Sequence, residues 1–149
     1  MNLALLVLIP FLGAAVAAWA GSRGRLWSAY AASGVTFSAL MLLLPSAMSV
    51  IGGDVLLWRH AWLPDAGLAV AFRLDGLALL FSLMILAIGL LVILYARYYL
   101  SERDPMGRFY AYLLLFQGSL LGVVLSENLL QLLIFWELTS ISSFLLISY

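Results

Sequence analysis

The sequence predicts an all-α, polytopic membrane bundle of about five transmembrane helices, its N-terminus outside, with a short extracellular β-type hairpin or strand between helices 2 and 3. Three observations carry that expectation. Hydrophobic residues make up 66% of the 149 and charged residues 9%, where soluble domains hold roughly 45–50% and about 25%. Apolar runs at 3–20, 26–51, 76–96, 109–126 and 128–149 each come close to the ~20 residues a spanning helix needs. What remains is four connections, too little chain for a soluble unit, so 1–149 reads as one membrane domain.

Composition also excludes several function classes. Seven Arg, no Lys and seven acids sum to a net charge of +0, which offers no basic face to nucleic acid. Without cysteine and with one histidine, thiolate zinc sites, iron–sulfur clusters and c-type haem attachment have no ligands. No bound cofactor or metal is expected. The working solvent is the lipid bilayer.

The first span ends in Ala18-Trp19-Ala20, similar to a cleavage site, but no basic residue precedes the apolar stretch as a secretory signal requires. It reads as a retained helix. Arginine placement sets the orientation: the first connection holds Arg23 and Arg25 without an acid, the third holds Arg97, Arg103 and Arg108, and the fourth has none. The positive-inside rule places connections one and three in the cytoplasm. Trp19 and Trp27 flank the first of these, and Tyr95, Tyr98, Tyr99, Phe109, Tyr110 and Tyr112 flank the third, as interfacial aromatics do.

The longest connection, 52–75, carries a β-type stretch at 68–74 after a turn signal at Pro64 to Gly67. The lone His60, between Trp58 and Trp62, reads as an interfacial loop residue. Asp75 opens the third span as an N-cap. Glu102 and Asp104 beside Arg97, Arg103 and Arg108 read as solvated surface pairs. Small residues at Gly118 and Gly122, at Gly13 and Ala17, and at Gly34 and Ser38 predict close helix contacts. Gln117, just before the Gly118 pair, either bonds a neighbouring helix or lines a proton path.

One acid lies deep in a span. Glu137 falls nine residues after Asn128, about 14 Å along a helix that crosses ~30 Å of hydrocarbon. A lipid-facing carboxylate at that depth is heavily penalised, so Glu137 is expected to face a protein interior or a water-filled cavity. Its functional reading is a proton or cation carrier: desolvation favours the protonated form, an approaching cation the ionised one. Its bland reading is a neutral acid bonded to a neighbouring helix. Ser140 shares its side of the helix, and Thr139, Ser142 and Ser143 form a second polar stripe. One stripe lines a pathway and the other a helix contact, and no sodium ligand is assigned because membrane hydroxyls more often bond back to the i−4 carbonyl.

Taken in order, Phe72-Arg73-Leu74-Asp75-Gly76, Tyr95-Ala96-Arg97-Tyr98-Tyr99, Arg108-Phe109-Tyr110-Ala111-Tyr112, Ser126-Glu127-Asn128-Leu129-Leu130 and Phe135-Trp136-Glu137-Leu138-Thr139-Ser140-Ile141-Ser142-Ser143 resemble the A-type subunit of the Mrp-type multisubunit sodium/proton antiporter. More broadly they resemble the antiporter-like membrane subunits of complex I. The resemblance implies that Glu137 corresponds to the carboxylate paired with a lysine on a later helix of a proton half-channel. That lysine is absent from these residues. Family members are several times longer, and the last apolar run stops without a basic flank or tail, so the sequence reads as the N-terminal portion of a longer subunit.

The expected function is therefore proton translocation through a buried carboxylate relay coupled to sodium export. Glu137 would act as the relay, with Ser140, Gln117 and Thr139 as candidate pathway-lining residues. The expected partners are other membrane subunits of the complex, protons, sodium ions and the bilayer, in a bacterial inner (plasma) membrane. Two alternatives stand beside it: an antiporter-like pumping subunit of complex I or a membrane-bound hydrogenase, and a scaffold subunit that translocates nothing.

Overall fold

The structure is a computed structural model that describes residues 3–21, 23–53, 55–63, 68–99, 106–127 and 129–148. Five helices, α1 (Leu3–Gly21), α2 (Arg25–Ile51), α3 (Gly76–Tyr99), α4 (Met106–Leu125) and α5 (Leu129–Ser148), follow the predicted runs, with β1 (Leu56–Leu63) and β2 (Leu68–Leu74) between α2 and α3. By length and composition α2, α3, α4 and α5 suffice to cross a membrane. α1, 19 residues long and without a charged side chain, is bedded against α2 and α4, burying Leu3, Leu6, Val7 and Ala17.

The two strands pair antiparallel, from Leu56 opposite Leu74 to Leu63 opposite Leu68, with a register slip between Ala61 and Leu63. Only 68–74 has a readable β pattern. β1 joins because an isolated strand leaves its peptide groups without partners, and pairing satisfies one edge of each. His60, expected in a loop, therefore lies within β1 opposite Val70. The turn at 64–67, the charged connection carrying Glu102, Arg103 and Asp104, and Asn128 lie outside the described residues.

Helix packing in lipid gains little from apolar burial, since acyl chains are as apolar as leucine; close fit and buried hydrogen bonds supply the adhesion. α4 is the hub of that fit: half of its membrane window is buried, the largest share among the spans. At one end it crosses α1 so closely that a Cβ on Gly21 would stand 2.7 Å from the Cα of Gly107, and one on Gly107 would stand 2.9 Å from the Cα of Gly21. Further along, Gly118 seats the ring of Phe11 from α1 and Gly122 seats the ring of Phe135 from α5. The Gly118/Gly122 pair thus forms two notches for aromatic rings, and the closest backbone approach occurs at the unpaired glycines instead.

Other small-residue expectations divide. Gly13 abuts Val35 of α2, and the carbonyl of nearby Ala17 accepts a hydrogen bond from Ser28 Oγ at 3.0 Å. A Cβ on Gly34 would meet nothing within 4 Å among the described residues of the other elements, and Ser38 bonds back to the Gly34 carbonyl. Tyr110, read as an interfacial aromatic, is fully buried. Its hydroxyl donates to the Ile93 carbonyl at 2.8 Å, tying α4 to α3. Trp19, Trp27, Tyr95 and Tyr98 are exposed as interfacial side chains should be.

Asp75 caps α3 as its position implies: Oδ1 accepts from the Ala78 N–H at 2.9 Å. Arg73 Nε lies 3.6 Å from Oδ2 of the same carboxylate.

Two outcomes follow from these contacts. Gly107→Leu wedges α1 from α4 at a backbone-to-backbone crossing and should cost about 1–3 kcal/mol, read as less intact complex on native gels and a lower thermal midpoint in detergent. Asp75→Ala removes the cap of α3 and should cost about 1 kcal/mol, with Asp75→Asn recovering most of the loss in the same thermal assay.

Candidate functional site

α5 is built with two unlike faces. Gln131, Phe135, Leu138 and Ser142 recur at helical spacing on one side, where Gln131 and Ser142 are buried and Phe135 fills the Gly122 notch. On the other side Leu130, Leu133, Ile141 and Phe144 are exposed, and Glu137 and Ser140 lie among them. Only 11% of the α5 window is buried, the lowest share of the four spans. Glu137 sits eight residues beyond Leu129, about 12 Å along the helix. Within this chain it faces outward, away from the other described helices. The reason is geometric: the face holding Gln131 and Phe135 docks on α4, which turns the opposite face away from α1 to α4.

The hydroxyls of α5 turn to their own helix. Thr139 donates to the Phe135 carbonyl at 2.9 Å, Ser140 to Trp136 at 3.4 Å and Ser142 to Leu138 at 2.6 Å. The two stripes separate as their spacing predicts, with Ser140 exposed on the Glu137 side, Thr139 half-buried and Ser142 buried. Ser140 therefore accompanies Glu137, and Thr139 does not.

Gln117 is remote from both. It is buried at 3% exposure, and its Nε2 makes a long contact of 3.5 Å to Thr36 Oγ1 of α2. Its Oε1 has no hydrogen-bond partner among the described residues and rests against Gly89 of α3, where any Cβ would collide with it. Gln117 belongs to the α2–α3–α4 interface at the floor of an apolar groove of about 280 Å³ between α3 and α4. Among the described residues no three histidine, aspartate or glutamate side chains gather as metal ligands would. At the hairpin end, Arg73, Asp75, Ser126 and Glu127 line a shallow hollow of about 420 Å³.

One residue that the sequence does not single out holds these parts together. Gln131 accepts from the Ala71 N–H at 2.8 Å and donates to the Ala71 carbonyl at 2.9 Å, with a third bond to Ser126 Oγ at 3.1 Å. The same Ala71 carbonyl accepts from the Glu127 N–H at 3.1 Å, and Phe72 bridges to Ser126. Its only signal in sequence is a polar residue at the spacing of the buried face, four before Phe135.

Comparison with known proteins gives this arrangement its context. Residues 62–110 match the family model described as NADH-ubiquinone oxidoreductase (complex I), chain 5 N-terminus. Over 99% of its length the chain is 51% identical to a probable K(+)/H(+) antiporter A/B subunit of Rhizobium meliloti, of which it covers 15%. Over 77% it is 50% identical to the Na(+)/H(+) antiporter A1 subunit of Staphylococcus aureus, covering 14% of that protein. Its fold superposes on a chain of the Mrp complex from Dietzia sp. with a TM-score of 0.83 and 26% identity, across 97% of this chain and 16% of that one. An archaeal membrane-bound sulfane sulfur reductase shares the fold at a TM-score of 0.69 and 20% identity, over 93% of this chain and 21% of its counterpart. The chain thus spans about 15% of the length of the relatives it matches, and over that span its sequence is similar to antiporter A-type subunits and its fold to a chain of the Mrp complex.

Proposed function

We propose that this chain is the portion of a monovalent cation/proton antiporter subunit that supplies one carboxylate of a proton relay, Glu137. The observation that supports this most is placement: of the seven acids in the chain, one lies deep within a span, and α5 presents it beside Ser140 on the face turned away from the other helices. A carboxylate at that depth is too costly to leave against acyl chains. Its face therefore meets further protein or water. There a carboxyl group can carry a proton, and a cation brought up to it would drive that proton onward.

The approaching cation comes from outside these residues, since the sequence has no lysine and its arginines all lie outside the helix centres. Its source is the remainder of the longer subunit or a neighbouring membrane subunit. Gln117 and Thr139 are turned away from the Glu137 face, which leaves Ser140 as the pathway-lining residue. The relatives are named for Na(+)/H(+) and K(+)/H(+) exchange; sodium export is the reading adopted, in a bacterial plasma membrane.

The test uses the full-length protein in its assembled complex, in inverted vesicles with an imposed pH gradient. Glu137→Gln keeps the shape and removes the charge, and should lower sodium- or potassium-driven proton release at least about tenfold with the complex intact on native gels. Full exchange by that variant would sink the relay and leave a scaffolding role in its place.

A further inference from the structure

We infer that Gln131 is a positioning residue through which the β1–β2 hairpin sets the height and rotation of α5, and so the place of Glu137; the inference rests on the relay reading of Glu137. The geometry is that of a strand pair made by a side chain. In an antiparallel hairpin alternate residues of β2 turn their N–H and C=O away from β1. Ala71 is one of these, and its two groups point at α5. The Gln131 amide meets both at once, at 2.8 and 2.9 Å, and the two bonds together fix which end of the amide is oxygen.

Such a pairing is directional where the rest of the α5 contact is not. Phe135, one turn further on, packs its ring 6.2 Å from Phe72 and 6.5 Å from Phe11. Rings in notches tolerate sliding and tilting, whereas a bidentate amide fails on both bonds if the helix turns by one residue or shifts by one ~1.5 Å rise. Ala71 and Phe72 thus grip α5 on consecutive rungs, one by hydrogen bonds and one by packing. Gln131 is buried at 8% exposure, in low-dielectric surroundings where such bonds are strongest. Since Glu137 lies six residues on, on the face of α5 that is exposed among the described residues, its position follows from this grip. A movement of the hairpin would be passed to the acid through Gln131.

The test again uses the full-length protein in its assembled complex, with exchange expressed per complex and as a ratio to the parent protein at each pH. That ratio removes the titration of the surrounding charged groups: Arg73 on β2, Asp75 ahead of α3, Glu127 in the α4–α5 turn, and Arg59 and His60 on β1, where Arg59 pairs with Ala71 in register. α1 and α4 bring no charge to this end.

Gln131→Met keeps length and volume and deletes the amide's three bonds, two to Ala71 and one to Ser126. It should lower exchange about three- to tenfold, the scale of losing one or two buried hydrogen bonds, and should displace the pH of half-maximal exchange. Gln131→Glu is conditional: a protonated carboxyl accepts from one group and donates to another as the amide does, and a carboxylate cannot donate to the Ala71 carbonyl. Its ratio should approach one at acidic pH and fall as pH rises.

Gln131→Met with parental exchange and pH profile, or a Gln131→Glu ratio that does not change with pH, overturns the inference. Should Gln131→Met fail to assemble, the Gln131→Glu ratio decides alone. Full exchange by Glu137→Gln would remove the relay reading itself, and is scored on a separate variant.

Discussion

Every other feature of this bundle leans on the close crossing of α1 and α4 at Gly21 and Gly107. In lipid the hydrophobic effect that drives soluble helices together is nearly absent, so adhesion requires atoms brought into van der Waals range across many contacts. Two glycines facing each other bring the backbones within reach, and the rest of the α1–α4 seam then closes: Phe11 seats on Gly118 further along the same pair of helices. With α1 and α4 fixed, α2 is added through Val35 against Gly13 and Ser28 on the Ala17 carbonyl. α3 is added through the Tyr110 hydroxyl on Ile93.

α5 is held differently. It touches the others along one face, through the Phe135 ring at Gly122 and the Gln131 amide on Ala71. That arrangement leaves a helix well placed and poorly covered, with its acid on the uncovered side. Two features that look unrelated in sequence, the β1–β2 hairpin and the helix that carries Glu137, are joined directly, because a side-chain amide of α5 completes the free edge of β2. The edge of a two-stranded sheet is a liability when its N–H and C=O groups go unpaired, and here helix docking uses the same groups that need partners.

The polar interior of α2, α3 and α4 stands apart from this. Thr36, Ser82 and Gln117 are buried at the heart of the bundle, and Gln117 Oε1 lies against Gly89 with no donor among the described residues. A polar residue in a span thus divides into two kinds in this protein: those that join helices, as Gln117 and Ser28 do, and those turned away from the other helices, as Glu137 is. Sequence spacing separates the stripes of one helix from each other but cannot say which stripe meets a neighbour.

What the residues alone determined is the set of elements, their order and the family resemblance. The bilayer permits only segments whose backbone bonds are internal, and 66% hydrophobic composition, with every charged residue but Glu137 in a connection or near a helix end, leaves five helices and little else. The N-cap at Asp75 and the two stripes of α5 were legible for a similar reason, since both depend on spacing within a few residues. Tertiary structure alone decided the pairings between helices: Tyr110 as a buried tie instead of an interfacial ring, Gly118 and Gly122 as seats for Phe11 and Phe135, and Gln131 as the link from hairpin to helix. Each of these needs a residue from a distant element, 60 positions away for Gln131 and Ala71, and no local period records it. The outward turn of Glu137 belongs with them, because it follows from which face of α5 its neighbours fit.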